Sequence, residues 1–282
     1  MIRFWLWLKR NFGIIIIAVL AAGFFSTFQL SNIGKFPDPD GFYHARIGLQ
    51  LWQGELKDRL PSLHYTILRE GYADQHYLYH AMLGLLLQFF PYPYGLHVSI
   101  ILFGTAAVVA WALLLRSWQV KMYGLWIVVL LGTSADFLFR LNVPKANAIS
   151  LVALAGIIAA LDKQKFWLLF PLSFLFVWLY GGFVFIPVLV GAFLVAWFWQ
   201  EKKLVVKPVF YSLAGLVLGL VIHPHASHLP NYLYHQIFQT GLAAGLHIAV
   251  GNEWNPYEFQ VFSQSNPLIG IITIGALLLF FS

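Results

Sequence analysis

Two aspartates one residue apart, Asp38-Pro39-Asp40, run into Gly41-Phe42-Tyr43-His44-Ala45-Arg46 and form the part of this chain best suited to chemistry. Pro39 and Gly41 favour an extended or turn conformation, so both carboxylates can converge on one cation or one acceptor proton. Such a pair can orient or deprotonate a nucleophile. The same Asp40 can equally start the helix that IGLQLW continues, as an N-cap. His223, His225 and His228 (HPHASH) bring three imidazoles together where they could ligate zinc or receive a phosphate, although Pro224 interrupts regular helical spacing. Asp74, His76 and His80 (DQHYLYH) place two imidazoles at i and i+4 on one helix face, with Asp74 able to cap that helix. Arg46, Arg140 and Lys145 offer positive charge to a phosphate, Arg as a fork and Lys as a point charge, or else anchor helix ends at a membrane interface.

The elements that must position these residues are apolar to a degree no soluble domain matches. The 282 residues are 60% hydrophobic and 10% charged, against roughly 45 to 50% and about 25% in soluble domains. A chain of this size cannot hide that much apolar surface from water, whereas lipid does not require it to. The net charge of +6 comes from small Lys and Arg clusters between apolar runs, with no long basic tract of the kind that binds nucleic acid. Without Cys there is no disulfide frame, thiolate metal site or Cys nucleophile.

Residues 11–30 form a first span, and Arg3, Lys9 and Arg10 before it favour a cytoplasmic N-terminus. Further apolar stretches cover 95–115, 122–139, 147–161, 166–180, 182–199, 208–222 and 267–281. If each crosses once, Arg116/Lys121, Lys163/Lys165 and Lys202/Lys203/Lys207 share the side of the N-terminus. The 77–90 segment is short for a span and is expected on, or dipping into, the outer face. This topology places all ten His, and every acid except Asp162 and Glu201, on the extracytoplasmic side, in or beside loops 31–94, 133–146 and 223–266. Loops of that length in a compact domain are usually functional. The expected fold is an all-α, polytopic integral membrane protein of about eight transmembrane helices in one domain spanning 1–282.

DPDGFYHAR directly after a first span resembles the first external loop of the GT-C glycosyltransferases, most closely the catalytic subunit of oligosaccharyltransferase and its single-subunit bacterial and archaeal relatives. Asp38 and Asp40 match that family's acid pair, Tyr43 its aromatic and Arg46 its basic residue. Tyr180-Gly181-Gly182-Phe183 looks like the family's helix junction, and AVGNEWNP (249–256) looks like its late external motif, with Glu253 as the acid. The likeness runs from about residue 30 to about 265. Two features depart from it. In the second external loop, Asn147 and Ile149 stand where a second acid pair would complete a metal site, Asp136 is the only acid, and Lys145 could offer charge where the family uses a metal. The family's C-terminal soluble domain, with its Trp-Trp-Asp motif, has no counterpart, and the short last apolar run leads us to expect a piece of a longer protein.

The resemblance implies transfer of a sugar or oligosaccharide from a polyprenyl phosphate or diphosphate carrier to an acceptor glycan, lipid or protein, with inversion at the anomeric carbon. In this reading Asp40 is base or ligand of a divalent cation (Mg or Mn), Asp38 supports it, and Glu253 orients the acceptor. Lys145, Arg140 and Arg46 face the leaving phosphate, and Tyr43, His76 and His80 line the donor cleft. A metal role for His223 and His225 stays open beside this one, while the missing second acid pair argues against a resident divalent ion. Two competing classes are a secondary transporter or flippase, disfavoured by the lack of paired interrupted helices and of mid-membrane acids, and a non-catalytic relative that binds the lipid carrier.

Overall fold

The computed structural model describes residues 2–240 and 258–281, and among them every regular element is helical. The order is α1 (Ile2–Leu30), α2 (Asp40–Trp52), α3 (Tyr77–Phe89), α4 (Tyr94–Ser117), α5 (Tyr123–Gly132), α6 (Ala135–Leu141), α7 (Asn147–Asp162) and α8 (Leu169–Leu179). After these come α9 (Phe185–Glu201), α10 (Lys207–Val221), α11 (Leu229–Tyr234), α12 (Phe259–Ser265) and α13 (Ile269–Phe281). Helices are the expected outcome for apolar runs in lipid, where each backbone N–H and C=O must be paired within its own segment.

Among the described residues, three helices are long and apolar enough to cross a membrane: Trp5–Leu30, Tyr94–Ser117 and Gly181–Glu201. Less than a quarter of the apolar window of the first and third is buried, so residues such as Val19, Leu20, Val188 and Val195 are exposed as lipid-facing side chains would be. The 122–139 run, expected to cross once, is two helices, α5 and α6, bent by 99°. The break has a local cause. Thr133 Oγ1 donates back to Val129 O (2.6 Å), and Ser134 Oγ accepts the Phe137 N–H (3.1 Å), closing one helix and capping the next. Counting this bent pair as one span gives four; α3, α7, α10 and Phe166–Leu179 are shorter apolar helices.

The turns after α4, α7 and α9 each contain a non-glycine residue in the left-handed region, Gln119, Gln164 and Lys202 (φ 57°, 54° and 54°). They stop their helices at the basic clusters that the sequence marks as connections. By packing, the chain forms two compact units. The first comprises Met1–Leu56, Gln75–Ile127 and Arg140–Pro224, and the second comprises Lys57–Asp74, Val128–Phe139 and His225–Ser282. In the first unit α1 packs on α4, α4 on α7, α8 on α10, and α2 on α3.

Candidate functional site

The first unit brings the Asp-Pro-Asp segment against the loop between α6 and α7. Asp38 Oδ1 accepts the backbone N–H of Asp40 (3.0 Å), which satisfies the first amide of α2, so the capping carboxylate is that of Asp38 and the side chain of Asp40 is left for other work. Both carboxylates turn to the same cation. Lys145 Nζ lies 2.7 Å from Asp38 Oδ2 and 2.6 Å from Asp40 Oδ2. Asp38 and Lys145 are mostly buried, whereas the Asp40 side chain is 55% exposed and is the group an incoming molecule can reach.

Three local features hold Lys145 there. Gly41 meets the Pro144 ring so closely that a methyl group at residue 41 would lie 2.5 Å from Pro144 Cγ. The Lys145 N–H donates to Val143 O (2.8 Å), a tight turn that aims the side chain after Pro144. Asn142 is reached by Gln29 Nε2, 3.3 Å from its Oδ1 and 3.4 Å from its carbonyl. Gln29 is itself fixed: its Oε1 is 2.8 Å from His97 Nδ1, while the Gly34 N–H donates to His97 Nε2 (3.1 Å). Because Nε2 accepts, Nδ1 is the nitrogen that donates to Gln29. Phe36 stacks on His97 at 4.5 Å. Burial disfavours the Lys145 ammonium, but hydrogen bonds and charge from Asp38 and Asp40 outweigh it, and the net effect raises the Lys145 pKa above its ordinary value.

Beside the carboxylates, α2 and α3 cross through glycines. A Cβ on Gly48 would lie 2.8 Å from His80 O, and one on Gly84 would collide with Gly48 O and lie 2.5 Å from Trp52 Cδ1. His44 and His80 stand one turn before these glycines on the same faces, and the crossing brings His44 Nδ1 to 2.7 Å from His80 Nε2. The ring of Tyr43 sits edge-on to both imidazoles, at 5.2 and 5.7 Å. His76 stacks on Tyr180 (5.5 Å, 20°), in the extended residue that separates α8 from the Gly181–Val184 turn. Gly84→Val is expected to cost about 2 to 3 kcal/mol, since no side chain can yield where backbone meets backbone; chemical denaturation in detergent measures it.

His44 is buried, and burial first, then His80, His76 and Lys145, pushes its pKa well below the ordinary 6.5. Above pH 6.5 both folded and unfolded His44 are neutral. As the pH falls below 6.5 the unfolded chain takes up a proton that folded His44 refuses, so stability drops by up to about 1.4 kcal/mol per pH unit. The denaturation midpoint should therefore fall from pH 6.5 to pH 5, and the fall should be shallower in His44→Asn.

The other sequence candidates are distributed as follows. Arg46, exposed on α2, and Arg140, half-buried at the end of α6, make no ion pair among the described residues. His80 is fully buried with its ring committed to His44, so it does not line an open cleft. His223 packs edge-on to Tyr77 (5.9 Å) and Trp178 (5.7 Å). In the second unit, His225 Nε2–H donates to Lys57 O (2.8 Å) and its ring meets Tyr72, while His228 lines an open cleft of about 440 Å³ with His64, Arg69, Glu70 and Asn231. Glu253 lies outside the described residues.

A divalent cation fits these donors poorly. The point shared by the two carboxylates belongs to Lys145 Nζ, and among the described residues no three His, Asp or Glu are grouped to hold a metal ion. Sequence reasoning did not single out His44, Gln29, Asn142 or His97. The one available signal was the matched spacing of His44/Gly48 and His80/Gly84. Comparison of the chain with protein families, with curated proteins and with solved structures finds no match.

Proposed function

We propose that this protein is a multi-pass membrane glycosyltransferase, with its site on the extracytoplasmic face and its N-terminus in the cytoplasm. It moves a sugar or oligosaccharide from a polyprenyl-phosphate or -diphosphate carrier to an acceptor nucleophile. The observation that carries this reading is the convergence of Asp38, Asp40 and Lys145 from two separate loops onto one partly open point. The resemblance of DPDGFYHAR to the GT-C first loop supplies the reaction class. The clustering of Lys and Arg between the apolar runs supports the sidedness.

In this reading the acceptor hydroxyl or amide approaches exposed Asp40, which takes its proton as the nucleophile attacks the anomeric carbon from the face opposite the phosphate. The glycosidic C–O bond breaks, the phosphate leaves with the electron pair, and the configuration inverts. Lys145 is committed to the carboxylates, so the leaving phosphate falls to Arg46 and Arg140, which are without ion-pair partners among the described residues. Arg46 follows Asp40 by six residues, about 9 Å along the α2 axis.

The test is transfer from radiolabelled polyprenyl-linked sugars by the full-length protein in proteoliposomes. Transfer that requires Asp40 supports the reading. Binding of the carrier without transfer, over a range of sugars and acceptors, overturns it in favour of a carrier-binding protein.

A further inference from the structure

We propose that the Lys145 ammonium is the resident cation of the Asp38–Asp40 pair, holding the position between the two carboxylates that a divalent ion would otherwise take. This deepens the function proposed above: its consequence for catalysis rests on the transferase reading, but the identity of the cation does not.

The geometry leaves one vacancy for one charge, and the chain fills it itself. Lys145 Nζ meets Asp38 Oδ2 and Asp40 Oδ2 at 2.7 and 2.6 Å. A calcium- or magnesium-sized ion bound to those oxygens would sit at about 2.0 to 2.6 Å from each, so its centre and the ammonium nitrogen cannot coexist. The remaining oxygen of Asp38 is turned to the Asp40 N–H, away from the point the lysine occupies. In the second loop, Asn147 and Ile149 supply no further carboxylate.

Nor is the pair a chance meeting of surface side chains. Asp38 and Lys145 are only 14% and 16% exposed. The residues on either side of Lys145 are fixed by independent contacts: Pro144 against Gly41, Val143 O to the Lys145 N–H, and Asn142 through Gln29 to His97 and Gly34. An ordinary snorkelling lysine needs none of this. The two carboxylates also keep the lysine protonated against the cost of its burial. One ammonium against two carboxylates leaves a net charge of −1. Asp40 can therefore still receive a proton from an acceptor, while Lys145 does for the pair what a metal does elsewhere, holding two like charges side by side.

The decisive measurement is Mn2+ binding, followed by the electron paramagnetic resonance of free Mn2+, to the full-length protein in detergent, with melting temperature recorded in parallel. The wild type should bind no Mn2+ at this site, and neither Mn2+ nor EDTA should move its melting temperature. Lys145→Glu, which brings three carboxylates to the point, should take up stoichiometric Mn2+ and be stabilised by it, and adding Asp40→Asn should weaken both effects. Where Lys145→Glu does not fold, Lys145→Met, which bares the pair, should bind Mn2+ more tightly than wild type. The proposal is overturned by stoichiometric Mn2+ on the wild type that Asp40→Asn removes, or by a folded Lys145→Glu that binds none. It is equally overturned by a Lys145→Met indistinguishable from wild type.

A separate arm measures transfer: EDTA should leave wild-type transfer unchanged, and loss with EDTA that Mn2+ restores overturns the proposal. Absence of transfer under every condition counts against the transferase reading, and the Mn2+ result still decides which cation the pair holds.

Discussion

If the protein is the proposed transferase, Asp40→Asn is expected to reduce glycosyl transfer by about 10²- to 10⁴-fold, the range for loss of a general base in contact with the reacting group, while the denaturation midpoint in detergent should hardly move. The separation of the two effects follows from the geometry. Asp40 is more than half exposed, its backbone N–H is held by Asp38, and an asparagine oxygen can still accept a hydrogen bond from Lys145. The substitution therefore deletes a proton acceptor and leaves the helix start in place. Asp38→Asn is the internal control. Asp38 is largely buried and holds both the Asp40 amide and Lys145, so its loss is expected to lower stability and, under the proposed function, transfer together. An Asp40→Asn protein that transfers at the wild-type rate would remove Asp40 from the chemistry and leave the pair a structural clasp.

What was legible in the sequence divides along physical lines. The helical runs could be read because lipid demands uninterrupted apolar segments, and 95–115, 147–161, 182–199 and 208–222 all correspond to helices within a few residues. The bend at 133–134 could not be read from hydropathy. Thr133 and Ser134 are tolerated in apolar helices, and only their hydrogen bonds to Val129 and Phe137 show that they end one helix and begin another. The Asp38–Asp40 pair was legible because its spacing is local. The partnership with Lys145 was not, because it depends on Gly41 admitting Pro144 from a distant segment, and no period or spacing encodes that contact. His44 is the same kind of case. A single imidazole in a helix carries little signal beyond its spacing to Gly48, and its partner His80 is chosen by the backbone crossing at Gly48 and Gly84.

Lys145→Met is expected to destabilise the fold through its charge, and a double-mutant cycle with Asp40→Asn should separate charge from packing. Methionine preserves the length and most of the buried volume of the side chain, so packing against the loop changes little. What changes is that Asp38 and Asp40 are left facing each other without a counter-ion. Removing one partner of a fully buried pair costs about 3 to 5 kcal/mol. Here Asp40 is partly solvated and screens the loss, so a destabilisation of about 2 kcal/mol is the better expectation. Combining Lys145→Met with Asp40→Asn should recover part of the stability, a coupling that a double-mutant cycle reads directly. A Lys145→Met deficit with no recovery in the double variant would mean that the lysine acts through its methylene stem and not through its charge.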